Sequence, residues 1–281
     1  MTPGPADEGS LMNERHTVAV VGAGKIGELM LAGLLRAGWP AGRLLATARR
    51  PERAAALRQQ YGVECTDNPD AVTRADVVVV AVKPQDADAL LAEVAPKVPA
   101  DKLIVSMCAG LPTGFFADRL PAGTPVVRVM TNTPALVDEA MTAISAGAHA
   151  SGAHLALVEE LFRPLGRTIR VPESQQDAVT ALSGSGPAYF YLLVEAMIDA
   201  GILLGLPRQV ARDLIVQTAI GASVMLRDSG EHPVTLREAV TSPAGTTIAA
   251  VAELERHGVR AALLAALEAA RDRARELAAD A

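Results

Sequence analysis

Val77-Val78-Val79-Val80 is apolar and β-branched at every position, and Ala81-Val82 prolongs the run. A strand with one wet face alternates apolar and polar residues. Only a strand covered on both sides reads like this, and the usual setting is a parallel sheet with helices on each face. Six apolar residues are too few to span a bilayer, so the run belongs inside a folded domain, and no membrane partner is expected. Comparable runs are predicted at Thr17–Val21, Leu44–Thr47, Leu103–Met107, Val126–Met130, Met141–Ala146 and Thr168–Val171. Between them, residues 24–37, 51–61, 84–95 and 151–163 have helical length and spacing. Strand–helix alternation of this kind predicts an α/β fold, a Rossmann-type doubly wound sheet.

Beyond Val171 the β texture stops. Helices are predicted at about 173–182, 186–204, 207–227, 234–241, 246–257 and 259–278, with Pro187 and Pro207 where first-turn prolines belong. The expected organisation is a loose tail over 1–15, a dinucleotide-binding domain over 16–171, and an all-helical dimerisation and substrate domain over 172–281. Ala188–Leu204 is apolar on most sides, which argues for burial against a second subunit; a self-contained bundle is the alternative.

Composition narrows the function classes. The net charge is −6 with the basic residues dispersed, which leaves no electrostatic footprint for nucleic acid. Asp7 and Glu8 near the N-terminus, with no apolar stretch there, do not read as a secretion signal. Cys65 and Cys108 stand far apart and suit a reducing cytoplasm, as small buried side chains. The five histidines form no HxxxH or HExxH pair, so no metal site is expected.

The sharpest local signal is Val18-Ala19-Val20-Val21-Gly22-Ala23-Gly24-Lys25-Ile26-Gly27. A bare GxGxxG is weak, but this one leaves an apolar strand and opens a helical pattern. Gly22 permits the tight turn, Gly24 lets backbone approach a pyrophosphate, and Gly27 allows close helix–strand packing. The amides of Lys25, Ile26 and Gly27, at the positive end of the helix, offer donors to phosphate. A ligand-free glycine turn is the alternative. At the end of the second strand an NAD site usually carries an acid. Here the sequence is Thr47-Ala48-Arg49-Arg50. Two guanidiniums suit a 2′-phosphate, so NADP(H) is preferred with NAD(H) as the alternative; Arg49 and Arg50 also read as a solvated loop before Pro51. Two further strand ends belong to the cofactor edge: Ala81-Val82-Lys83-Pro84, and the small residues Cys108 and Ala109. Lys83 is equally a solvated lysine capping a strand.

In the second half, Leu182-Ser183-Gly184-Ser185-Gly186-Pro187-Ala188-Tyr189 reads as a loop that exposes amides at a helix start, or as capping by Ser183 or Ser185. Thr241-Ser242-Pro243-Ala244-Gly245-Thr246-Thr247 reads as an anion site at a helix start, or as a plain N-cap.

Together with Arg128-Val129-Met130-Thr131-Asn132-Thr133-Pro134, these segments resemble the pyrroline-5-carboxylate reductase family in order and spacing, over essentially the whole chain after the tail. Thr131 stands where many members carry proline, and Ala244 where a second glycine is usual; both read as tolerated small changes. The resemblance implies a Rossmann domain followed by a helical dimerisation domain, a homodimer able to assemble into a ring as large as a decamer, and a small-molecule substrate. It implies reduction of L-1-pyrroline-5-carboxylate to L-proline with NAD(P)H, the last step of proline synthesis. By the same likeness, Thr247 bonds the ring nitrogen, and the backbone from Ser242 through Gly245 and Thr246 to Thr247 holds the carboxylate. Glu231 matches a carboxylate near the imine, or is a solvated helix-start residue. Asn68 matches a cofactor-contacting asparagine, although Asn68-Pro69 also reads as a turn. A β-hydroxyacid or imine reductase of similar build would carry a lysine on the first long helix of the second half, and between Pro187 and Leu206 there is none. A protein that binds NADP(H) without turnover is the rival of another class; the hydroxyls of the 241–247 segment argue against it.

Overall fold

The computed structural model describes residues 16–99 and 101–279; the tail expected over 1–15 lies outside the described residues. Eight strands form one sheet: β1 Val18–Val21, β2 Leu44–Ala46, β3 Glu64–Cys65, β4 Val77–Val80, β5 Leu103–Ser106, β6 Val126–Met130, β7 Ala140–Ala146 and β8 Gly166–Arg170. Their order is β3-β2-β1-β4-β5-β6-β7-β8, and every pairing is parallel except β6 with β7. The all-valine run is β4, flanked by β1 and β5 with Val80 opposite both Val21 and Ser106. Val77 and Val79 enter one core with Val18, Val20, Leu31 and Leu34; Val78 and Val80 enter the other with Ala19, Val21, Leu90 and Ile104. Period-two side chains on a sheet covered on both sides demand this division.

The covering helices of the sheet unit are α1 Lys25–Arg36, α2 Pro51–Tyr61, α3 Asn68–Arg74, α4 Pro84–Val94, α5 Thr113–Ala117, α6 Gly152–Phe162 and α7 Gln176–Val179. β3, α3 and α5 are not among the expected elements. β3 is a two-residue edge strand, too short to carry any hydrophobic period, held by pairing to Leu45 and Ala46. The Asn68-Pro69 turn is instead the first turn of α3: Asp67 caps it, its carboxylate accepting the Asp70 amide at 2.8 Å, and Pro69 occupies a first-turn position. Strand ends also retreat, with Thr47, Val82 and Met107 leaving the ladder.

The polypeptide packs as two units, one reaching to Gly184 and including the chain from Ala270 onward, the other spanning Ser185–Ala269. Residues 172–184, expected with the helical part, pack with the sheet. Gln176 is fully buried and donates to Ser145 Oγ of β7 at 2.8 Å. Arg128, buried on β6, lies 3.6 Å from Glu173 and 3.7 Å from Asp177. The segment expected as a loop around Ser183 is a π-helical turn, Thr180–Gly184.

The second unit contains α8 Gly186–Leu203, α9 Arg208–Asp228, α10 Pro233–Ala239, α11 Thr246–Arg256 and most of α12 Val259–Ala279. Pro207 is the residue before α9 rather than inside its first turn. Phe190, Tyr191, Leu192, Leu203 and Leu204 on and after α8 stay more than 60% exposed, as the expected need for further partners requires. By length and composition alone, one helical run among the described residues, 173–203, is apolar enough to cross a membrane, a segment longer than the strand runs weighed above.

Candidate active site

In an open α/β sheet, ligands bind beyond the carboxyl ends of the strands where the strand order reverses. That point lies between β1 and β4, and the predicted cofactor segments meet there. Gly22 turns with φ +78°, and a Cβ on it would sit 2.2 Å from Val82 Cγ1, so the glycine turn lies directly against the chain leaving β4. Gly27 packs the start of α1 onto the sheet, since its Cβ would fall 2.9 Å from Val20 Cγ1 and 3.3 Å from Ala81 Cβ. The Cys108 thiol, leaving β5, donates to Val82 O at 3.4 Å. The loops after β1 and β5 therefore both meet the chain leaving β4 at Val82.

Gly24 differs from its neighbours. It precedes α1 with φ −74°, outside the left-handed region, and a Cβ there would find nothing nearer than 3.9 Å. No packing neighbour requires glycine at this position. The empty volume above the helix start is what a dinucleotide's pyrophosphate needs, and the first helical bond, Glu28 N to Gly24 O at 2.9 Å, leaves the amides of Lys25, Ile26 and Gly27 ahead of it without helical acceptors. On these observations the residues fit a dinucleotide.

Two side chains that sequence reasoning missed shape this turn. Thr47, buried after β2, accepts the Gly22 amide on Oγ1 at 3.0 Å, while its carbonyl accepts Ala23 N at 2.8 Å. Arg53, in the first turn of α2, donates to Ala23 O at 3.1 Å and Gly24 O at 3.3 Å, and to Glu28 at 2.5 Å. Neither belongs to a motif; a polar residue at the end of β2 and an arginine opening the next helix are the only traces in the sequence.

Arg49 is 88% exposed, with Asp86 of α4 at 3.6 Å, and Arg50 is exposed as the residue before α2. Lys83 is exposed before Pro84 opens α4. Cys108 is buried, its thiol pushed up to about 11 by desolvation, so a ligand there meets exposed Ala109 and not the sulfur. The Asn68 side chain donates to Glu93 at 2.9 Å.

The second predicted loop, within the helical unit, is a hydrogen-bonded turn. Gly245 N donates to Ser242 O at 3.1 Å, Pro243 occupies the second position, and Ala244 takes φ +55°. A proline followed by a positive φ is the type II arrangement. Gly245 then precedes α11 without a side-chain cap. This removes the plain N-cap reading: Ser242, Thr246 and Thr247 hydroxyls have no hydrogen-bond partner among the described residues, and the Thr246 and Thr247 amides precede the first helical bond, Ala249 N to Gly245 O. A small carboxylate could take these donors.

Comparison with known proteins covers both segments. A family profile described as pyrroline-5-carboxylate reductase dimerisation matches residues 173–277, and one described as NADP oxidoreductase, coenzyme F420-dependent, matches 17–110. The pyrroline-5-carboxylate reductase of Mycobacterium tuberculosis is 46% identical, covering 92% of this chain and 96% of its own. The chain belongs to the pyrroline-5-carboxylate reductase family. The reductase of Corynebacterium melassecola is 43% identical over 93% of this chain and 98% of its own. Among solved structures, the reductase from Coxiella burnetii superposes with a TM-score of 0.88 at 34% identity, covering 93% of this chain and 98% of that one. The Plasmodium falciparum reductase with NADP bound gives 0.85 at 27%, covering 94% and 99%. The dimerisation profile starts two residues from the expected boundary at 171, although the packing break falls at Gly184. It also makes this chain an oligomer-forming member.

Within the reductase family frame, the remaining segments take structural places. Asn132, just past β6, donates to Ser183 O at 3.2 Å and Ser183 Oγ at 3.3 Å and accepts Met141 N at 3.1 Å, tying the π-helical turn to the sheet edge. Thr131 shares a 2.9 Å hydrogen bond with Thr142 Oγ1. Ser185 precedes α8 without a side-chain cap, which removes the capping reading for it. Glu231 is exposed between α9 and α10, its amide on Ser229 Oγ at 3.2 Å.

Proposed function

We propose that this protein reduces L-1-pyrroline-5-carboxylate to L-proline with a reduced nicotinamide dinucleotide, the last step of proline synthesis, preferring NADP(H) and accepting NAD(H). The observation that carries the reading is the α1 start, where Gly24 meets no packing neighbour and free amides follow it. The bound dinucleotide supplies a hydride to the imine carbon, and a proton completes the amine at nitrogen.

The chain's own residues bind, orient and polarise. The amides of Lys25, Ile26 and Gly27 hold the pyrophosphate, and Arg49 and Arg50 hold the 2′-phosphate. Asn68 and the backbone of Ala81, Val82, Lys83, Pro84, Cys108 and Ala109 complete that subsite. The 242–247 turn and the Thr246 and Thr247 amides fix the substrate carboxylate. The Thr247 hydroxyl hydrogen-bonds the ring nitrogen, where negative charge would otherwise build as the carbon is reduced. Glu231 favours the protonated nitrogen by its charge. No strong general base is needed, and most of the acceleration is orientation.

The exposed apolar faces of α8 and α9 pair with a second copy, giving a homodimer and, from dimers, a decamer; they are not a lipid contact. The two unpaired thiols suit the cytoplasm. The decisive test follows nicotinamide absorbance as NADPH is offered with pyrroline-5-carboxylate, against NADP+ with 3-hydroxyisobutyrate. Only the first pair should react. Gly24→Ala should weaken NADPH and NADH alike by about tenfold with an unchanged melting temperature. Undiminished binding would remove the loop from the site.

A further inference from the structure

We infer that Arg53 is the positioning residue of the phosphate loop, acting through the loop's carbonyls and not by touching the cofactor. The inference rests on the dinucleotide reading of that loop. Its Nε and one terminal nitrogen lie on consecutive carbonyls, Ala23 O at 3.1 Å and Gly24 O at 3.3 Å. A planar guanidinium suits this two-point grip; an ammonium has the charge without the fixed fork.

The consequence follows from peptide geometry. In a trans peptide the carbonyl of one residue and the amide of the next point opposite ways. Turning Gly24 O onto Arg53 therefore turns the Lys25 amide away from it, toward the volume above the helix start. Gly24 O also receives Glu28 N at 2.9 Å, so one carbonyl oxygen joins the arginine to the first helical bond. Gly22 O accepts the Gly24 amide at 2.7 Å, which fixes the other end of the turn.

Arg53 is itself held. Glu28, three residues beyond Lys25 on α1, receives its guanidinium at 2.5 Å on one oxygen and the Tyr61 hydroxyl at 3.0 Å on the other. Gln60 in turn donates to the Tyr61 oxygen at 2.9 Å. Both partners are about three-quarters buried, at 25% and 23% exposure. A carboxylate seated on the arginine cancels its charge locally, so the pair is poorly suited to attracting phosphate and well suited to fixing backbone.

This separates Arg53 from Arg49 and Arg50. A 2′-phosphate contact would weaken NADPH alone when removed, because NADH lacks that group. A loop-positioning role weakens both, because both carry the pyrophosphate. The experiment measures dissociation constants for NADPH and NADH by nicotinamide fluorescence on the full-length oligomer, for Arg53→Met, Arg53→Lys and Gly24→Ala. We expect Arg53→Met to raise both constants by a common factor of about five to ten. Arg53→Lys should raise both nearly as much, while kcat at saturating cofactor stays within about twofold of the parent. Selective loss of NADPH, full rescue by lysine, or unchanged binding in Arg53→Met would each overturn the inference. If Arg53→Met does not fold, Arg53→Lys decides by the same criteria. Gly24→Ala keeps the two readings apart: if it binds normally, the loop is not the cofactor site, whereas its failure beside intact Arg53 variants sinks the positioning role alone.

Discussion

Ala244→Gly should make the protein more stable, which is unusual for a substitution that adds glycine. Ala244 sits at φ +55° in the third position of the Ser242–Gly245 turn, where an L side chain crowds the following carbonyl. Holding a non-glycine residue there costs about 1–2 kcal/mol. Glycine removes that strain but gives the unfolded chain more freedom, which returns about 0.4–1 kcal/mol. The difference favours the variant by about 1 kcal/mol. Urea unfolding at fixed protein concentration should show a higher midpoint with an unchanged slope, and the melting temperature should rise by about 2–4 °C. Protein concentration must be matched because subunit association contributes to apparent stability. The turn's own bond, Gly245 N to Ser242 O, survives the change, so kcat/KM should stay within about twofold. A lower midpoint would refute the reasoning, since it would mean that Ala244 is relaxed and the added chain entropy is all that remains. The next residue differs: Gly245 takes φ −80°, and a Cβ on it would meet Ser242 Oγ at 2.3 Å, a hydroxyl that must rotate away before alanine fits.

Thr247→Ala should lower kcat/KM for pyrroline-5-carboxylate by about one to two powers of ten with NADPH affinity little changed; an unaltered rate would remove Thr247 from the mechanism. Arg49→Ala with Arg50→Ala should weaken NADPH far more than NADH in the same fluorescence titration, and equal losses would contradict the 2′-phosphate assignment. Cys65 and Cys108 are buried and burial raises both thiols, Cys108 to about 11, so a thiol reagent at neutral pH should label neither until denaturant is added. Prompt native labelling of Cys108 would show that its loop opens.

What the sequence conveyed depended on how far each signal reaches along the chain. β4 was legible because burial on both faces leaves its mark on four adjacent residues, and the glycine spacing because its three constraints lie within one turn. The texture break after Val171 was equally local. β3 was not legible, since two residues have no period and Glu64-Cys65 owes its conformation to β2. Nor was the π-helical turn at Thr180–Gly184. Its glycines read as a loop, yet Gly184 packs under the Met130 Cε methyl, which a Cβ there would have to displace from 2.4 Å, and the turn is pinned by Asn132, 51 residues earlier.

The same distinction explains why the candidate site was read in part. Motif logic picks out groups expected to face a ligand, and Lys25 to Gly27 and Ser242 to Thr247 are contiguous. It does not identify groups that face the motif from behind. Thr47 and Arg53 reach the glycine turn from β2 and α2, across 25 and 29–30 residues, and consist of one hydroxyl and one guanidinium with no pattern of their own. Ala244 shows the complementary blind spot: alanine for glycine looks conservative by volume, and only the sign of φ reveals that the exchange carries strain. A glycine motif therefore states which backbone must approach a ligand, while the residues that hold that backbone still are found by asking which side chains occupy its carbonyls.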